Sequence, residues 1–175
     1  EQNTYYNTAN FASISLEGYY RACDDYRDAF SGSAPVTLVA DIYDRAPDTL
    51  DVTLLRPLAK FEFITTDIVE FAEKQLKRAG ATRTVDVGDY EVRFYYVGYI
   101  PISYNHFADS PADAVTGVIF SSSLEMLNER EASLGFDYLF TYNYDTKVAV
   151  QVGLYDKQGK QLSLTEAIDV PLRRS

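Results

Sequence analysis

The sequence predicts a mainly β fold: an antiparallel β-sandwich with one short helix at about 67–79. Three observations predict it. Short stretches of alternating or β-branched apolar residues recur along the chain, separated by clusters of Gly, Pro, Asn and Asp. The chain carries 15 Tyr and 10 Phe against no Trp, and these side chains suit a pleated, half-buried surface. Only one segment has a helical period. Seven or eight strands at short spacing with a single helix favour two packed sheets over a parallel α/β arrangement. At 175 residues the chain is expected to form one domain, 1–175, large enough to bury a core without staples.

Residues 1 to 35 read as polar loop with a short strand around Ala12 to Leu16. Val36 to Tyr43 holds four β-branched residues among eight and reads as a strand, ended by the turn region Asp44 to Asp48 with Pro47. Another strand is expected over Leu50 to Leu54, resuming after Pro57 as Leu58 to Ile64, with Phe61 and Phe63 opposite Lys60 and Glu62. Proline cannot donate to a ladder, so Pro57 marks an edge, a bulge or a break between strands. Asp67 and Glu70 have the spacing of a capping box, Lys74, Lys77 and Arg78 lie toward a helix C-terminus, and Gly80 supplies a stop. Ile68, Ala72, Gln75 and Ala79 fall near one helical face, and Val69, Ala72 and Leu76 near an adjacent one.

Tyr90 to Tyr99 is the clearest long strand, alternating Tyr90, Val92, Phe94 and Tyr96 against Glu91, Arg93, Tyr95 and Val97, and closed by Pro101. A loop over Ile102 to Ala114 and a strand over Val115 to Ser121 are expected next. Leu134 to Tyr142 and Lys147 to Tyr155 read as a hairpin across Asn143 to Thr146, with Val148, Val150, Val152 and Leu154 sharing a face. A turn at Asp156 to Gly159 leads to a last strand, Gln161 to Leu172.

Sixteen basic against 26 acidic residues give a net charge of -10, a field that repels phosphate backbones and anionic lipid, so no nucleic-acid partner is expected. Cys23 is the only cysteine, which rules out an intrachain disulfide and a cysteine metal cluster. The preceding EGYYRA is too polar for a lipidation signal.

Candidate sites are few. His106 is the only histidine, and neither nucleophile-elbow nor metal-ligand spacing surrounds it. Asp24, Asp25 and Asp28 do not match a calcium loop and read as a solvated cluster. Asp86, Gly88 and Asp89, and Asp156, Gln158 and Gly159, read as strand-connecting turns. Lys77, Arg78, Arg83, Arg173 and Arg174 are too few to form a polyanion site. No catalytic, cofactor or metal residues are assigned, and no cofactor is expected. Tyr99 and Tyr104, around the Pro101 loop, are the candidate recognition surface, since exposed tyrosines stack on sugars and proteins at low entropy cost.

Five stretches carry a resemblance: RDAF at Arg27 to Phe30, LRPLAKFEF at Leu55 to Phe63, NHFADSPADAVTGVIF at Asn105 to Phe120, LGFDYLF at Leu134 to Phe140, and VPLRRS at Val170 to Ser175. In this order they resemble the fimbrillin-like surface proteins of Bacteroidetes, the type V pilus subunits and anchors. The resemblance implies a transthyretin-like, Greek-key sandwich and a non-enzymatic structural or adhesion role. It also implies export as a lipoprotein to the outer membrane or a fimbrium. The implied partners are other pilus subunits or cell-surface proteins, met by strand exchange, and surface glycans or proteins of host or bacterium. Members closest to this pattern carry further strands before the counterpart of Glu1 and after the VPLRRS-like motif, which implies an acceptor edge here. A carbohydrate-binding module using exposed tyrosines is the alternative.

Overall fold

The computed structural model describes residues 5–36, 49–78, 80 and 86–174. Fourteen strands and one α-helix, numbered here in chain order, make up its regular structure. β1 (Tyr6–Asn7) and β2 (Ile14–Leu16) open the chain, β3 (Leu58–Thr65) leads into α1 (Ile68–Arg78), and β4 (Tyr90–Val97) follows. Short strands come next: β5 (Tyr99–Pro101), β6 (Ser103–Asn105), β7 (Ser110–Pro111), β8 (Ala114–Thr116), β9 (Ile119–Ser123) and β10 (Glu125–Met126). β11 (Ala132–Phe140), β12 (Thr146–Asp156), β13 (Gln161–Leu164) and β14 (Ile168–Leu172) complete the fold.

The fold is mainly β and every strand pair is antiparallel. One sheet has the order β10-β11-β3. A second runs β13-β12-β4-β9, with β14 sharing the β13 side of β12. Their inner faces meet in one core of Ala59 and Phe61 from β3, Leu139 from β11, Val92 and Phe94 from β4, and Val148 and Val150 from β12. The Phe94 and Phe120 rings stack at 4.5 Å within it. This is a sandwich, driven by apolar burial on both inner faces.

β11 is buried on both faces, which is why LGFDYLF is a nearly continuous apolar run instead of an alternating one. Its outer face, with Tyr138 and Phe140, packs on Tyr6, Leu58 and Tyr104 in a second core. The small sheet β1-β2-β6-β7 covers this face.

Several expectations are met. α1 runs Ile68–Arg78 with Ile68 and Ala72 buried, and Gly80 takes a positive φ of 64° with its N–H on Lys77 O, a left-handed stop. Instead of a capping box, the Asp67 carboxylate accepts from the Thr65 hydroxyl at 2.6 Å. The Ala12 to Leu16 strand appears as Ile14–Leu16.

Others are corrected. Leu50 to Leu54 forms no strand. Leu55 pairs only in an isolated bridge to Ser31, and Pro57 separates it from β3. The expected hairpin is not one, because β11 pairs with β3 and β10 while β12 pairs with β4, β13 and β14. The five-residue link, 141–145, therefore crosses between sheets: Thr141 N–H follows the β3 side onto Pro57 O, while Thr146 starts β12. Tyr90 to Tyr99 breaks at Gly98, whose φ of 104° re-aims Tyr99 into a separate ribbon with β8. The 102 to 114 loop contains the β6–β7 hairpin, Val115 to Ser121 divides between β8 and β9, and the last strand splits into β13 and β14. The Val36 to Tyr43 strand and the Asp44 to Asp48 turn fall almost wholly outside the described residues, and so does Arg83.

Candidate functional site

β3 sets up both ends of the molecule. On one side it hydrogen-bonds β11 along its whole length, and on the other no strand pairs with it among the described residues. At its C-terminal end the chain turns through Thr65 and Asp67 into α1, and α1 lies over the gap between the sheets. The result is a crevice of about 290 Å³ lined by Ile68, Phe71, Val92, Leu134, Val152 and Leu154. Thr65, Asp67, Ser163 and Thr165 form its polar rim. A sheet edge beside an opening into the apolar core can pair backbone and side chains of another strand together.

At the N-terminal end of β3 the five sequence motifs meet. Arg27 of RDAF and Asp137 of LGFDYLF form a buried ion pair at 2.5 Å. Arg27 also donates to Tyr138 O at 2.7 Å and to Arg21 O. Tyr20 and Tyr96 hydroxyls both donate to Asp137 Oδ2, the second at 2.6 Å. Asp28, the next residue, pairs with Arg56 of LRPLAKFEF at 2.7 Å. Asp109 of the NHFADSP stretch pairs with Arg174 of VPLRRS at 2.6 Å, and Arg174 also donates to Thr141 O.

Electrostatics follow from that burial. It pushes Tyr6 and Tyr104 up to about 12 and holds Tyr20 and Tyr96 well above their ordinary values. Burial works against the Arg27 charge, but Asp137 outweighs it and holds the guanidinium above its ordinary value. Burial also works against Asp109 ionising, and the Tyr104 hydroxyl and Arg174 overcome it, keeping that carboxyl below its usual range.

The same end carries an apolar cleft of about 510 Å³ whose walls include Tyr6, Phe11, Phe30, Leu54 and Phe107. Ser31 Oγ lies 2.6 Å from His106 Nδ1 inside it, a pairing 75 residues apart that no sequence spacing signals. Phe11 and Phe107 rings flank His106 at 5.9 and 5.6 Å. Among the described residues no carboxylate hydrogen-bonds the imidazole.

Tyr99 and Tyr104 do not form one surface. Tyr99 is 76% exposed on the β5–β8 ribbon, whereas Tyr104 is 3% exposed, stacked on Phe140 at 5.8 Å and bonded to Asp109 at 2.5 Å. The expectation fails for Tyr104 because β6 packs into the second core instead of lying in a turn.

The acidic cluster is likewise engaged singly. Asp24 accepts from Tyr26 N–H at the start of a 3-10 turn, Asp25 pairs with Lys60 at 2.6 Å, and Asp28 holds Arg56. Asp86 and Asp156 cap their turns through Gly88 and Gln158 N–H. Among the described residues no group of three metal-ligating side chains assembles.

Fold and site together define a mainly β, antiparallel sandwich domain in which, among the described residues, β3 pairs with a strand on one side only. The chain belongs to a family of unknown function, DUF6562, whose model matches residues 1–175. No curated protein and no solved structure matches it.

Proposed function

We propose that this chain is a non-enzymatic structural or adhesion domain of the cell surface, a fimbrial subunit or accessory component acting through β-strand pairing and loop contacts. In this reading it is exported as a lipoprotein or fimbrial protein, its sandwich is of the transthyretin-like, Greek-key kind, and its partners are other subunits or surface proteins. One observation carries the reading: the eight-residue strand β3 pairs on one side only among the described residues and ends, at Thr65, on the rim of a crevice into the core. An unsatisfied ladder next to an apolar opening is costly in isolation and is relieved by a partner's strand. The resemblance across five motifs supplies the setting.

The test is immunogold labelling of intact cells that make this protein, with an antibody raised against the domain. Label on the envelope or on surface fibres is expected. Label found only after the cells are broken, in the soluble interior fraction, overturns the reading.

A further inference from the structure

We infer that the aromatic cleft at the N-terminal end of β3 binds a small neutral aromatic molecule bearing a hydroxyl group, a phenol or a naphthol, with its ring held among phenylalanines and its hydroxyl read by His106. The inference is independent of the cell-surface reading. About 510 Å³ of space lies between Tyr6, Phe11, Phe30, Tyr104 and Phe107. That falls within the roughly 300–1,000 Å³ of sites that hold small molecules. Phe11, Phe30 and Phe107 are 53, 56 and 76% exposed. Three phenylalanine rings kept in water around one hollow mark a surface suited to receive another ring.

The cleft is held open by its own floor and backbone. Tyr6 and Tyr104 pack on Phe140 at 5.7 and 5.8 Å, so the floor belongs to the second core. The His106 N–H donates to Phe11 O at 2.8 Å, and Ser31 and Leu55 exchange two backbone hydrogen bonds of 2.8 Å. Gly32 allows the close approach of that wall to the 53–55 stretch, because a Cβ there would lie 2.4 Å from Thr53 O. A ligand entering walls already tied together has little ordering cost to overcome.

The polar groups select the ligand. Among the described residues that line the cleft there is no Asp, Glu, Lys or Arg, so a charged ligand would lose its water without gaining a counter-ion. The Tyr6 and Tyr104 hydroxyls are already engaged with Arg27 O and the Asp109 carboxylate. The remaining side-chain polar groups are Thr8, which is exposed, and the Ser31–His106 pair. Ser31 Oγ meets Nδ1 at 2.6 Å, and no hydrogen bond engages Nε2 among the described residues. If Ser31 donates to Nδ1, Nε2 carries the ring proton and donates; if Nδ1 donates to Ser31, Nε2 accepts. A hydroxyl satisfies either form, because it both gives and takes a hydrogen bond. A sugar, with hydroxyls all round its ring, would leave most of them without partners against the phenylalanines.

Fluorescence titration of the full chain with 2-naphthol, naphthalene and 2-naphthoate at neutral pH tests this. The chain has no Trp, so excitation beyond the tyrosine band reports the probe alone. 2-Naphthol is expected to bind saturably, one molecule per chain, with naphthalene and the anionic 2-naphthoate each at least roughly tenfold weaker. His106→Leu keeps an apolar side chain in the wall and should bring 2-naphthol down to the naphthalene affinity while leaving naphthalene about unchanged. Phe107→Ala, at an exposed position, should weaken both by a similar factor. Circular dichroism checks that each variant is folded, and should His106→Leu fail to fold, the ranking of the three probes on the natural chain decides alone. No saturable binding of 2-naphthol, equal affinity for 2-naphthol and naphthalene, or a naphthol preference that survives His106→Leu overturns the inference. None of these results bears on surface location, which the labelling experiment reads.

Discussion

Asp137 Oδ1 lies 2.5 Å from Arg27 Nη1, and both side chains are almost wholly removed from water. The pair joins the N-terminal segment to β11, and Tyr96 brings in the opposite sheet through Asp137 Oδ2. Arg27 also covers the β11 edge at Tyr138 O, where Cys23 N–H takes Phe136 O at 3.0 Å. That edge is closed by a strap of side-chain and isolated backbone contacts.

Removing one partner of this pair leaves a buried charge without its counter-ion. Arg27→Met is expected to cost about 3–5 kcal/mol, read from the urea midpoint at constant slope. The double variant Arg27→Met with Asp137→Leu should lose less than the two single losses added together, because no charge is then stranded. A change under about 1 kcal/mol for Arg27→Met would mean that the pair does not hold the strap.

Alkali should unfold the protein through its tyrosines. Tyr6 and Tyr104 are raised by burial from 10.0 to about 12, and burial raises Tyr20 and Tyr96 well above their ordinary values as well. A folded value above the unfolded one means that the unfolded chain loses protons first, so stability is intact below about pH 10 and falls as pH rises toward 12. Absorbance of ionised tyrosine from the buried set should rise together with loss of structure followed by circular dichroism. A single smooth titration of all tyrosines with the fold intact would contradict this.

How much of this was legible in the sequence depends on the range of the interactions. α1 was readable because its period, its basic last turn and Gly80 are all local. β4 and β12 were readable because each alternates over many residues. Pairing was not: β11 and β12 are adjacent in sequence and look like a hairpin, but which strand each bonds is set by the second core, whose members Tyr6, Leu58, Tyr104 and Phe140 are scattered along the chain. The Arg27–Asp137 contact, 110 residues apart, has no local signal beyond the two motifs that contain it. A charged residue inside the apolar run LGFDYLF was the one available hint that a buried partner exists.

Gly135 sits where β11 shifts register against β3, between Ser133 and Gly135, with a φ of 139°. A Cβ there would lie 2.8 Å from Ser122 Oγ and 3.0 Å from Phe94 Cε2, a ring packed in the core. Gly135→Ala therefore combines backbone strain with overpacking, each worth about 1–3 kcal/mol. Gly159→Ala, with a φ of 78° and open space around it, carries the strain alone and should shift the thermal midpoint less. Equal shifts would show that β9 gives way to the added methyl.

Tyr104 and Tyr99 should separate cleanly in a stability measurement. Tyr104 is buried against Phe140, and its hydroxyl bonds Asp109, which in turn holds Arg174 against β11's end through Thr141 O. Tyr104→Ala removes a stacked ring and opens a cavity in the second core, with an expected cost of about 3–5 kcal/mol. Tyr104→Phe keeps the ring and loses one hydrogen bond to a charged group, about 1.5–3 kcal/mol. Asp109 retains Arg174 in that variant, which places the cost toward the lower figure. Tyr99→Ala, at a position 76% exposed, should stay within about 0.5 kcal/mol. A Tyr104→Ala protein as stable as Tyr99→Ala would mean that the small β1-β2-β6-β7 sheet is not anchored on β11.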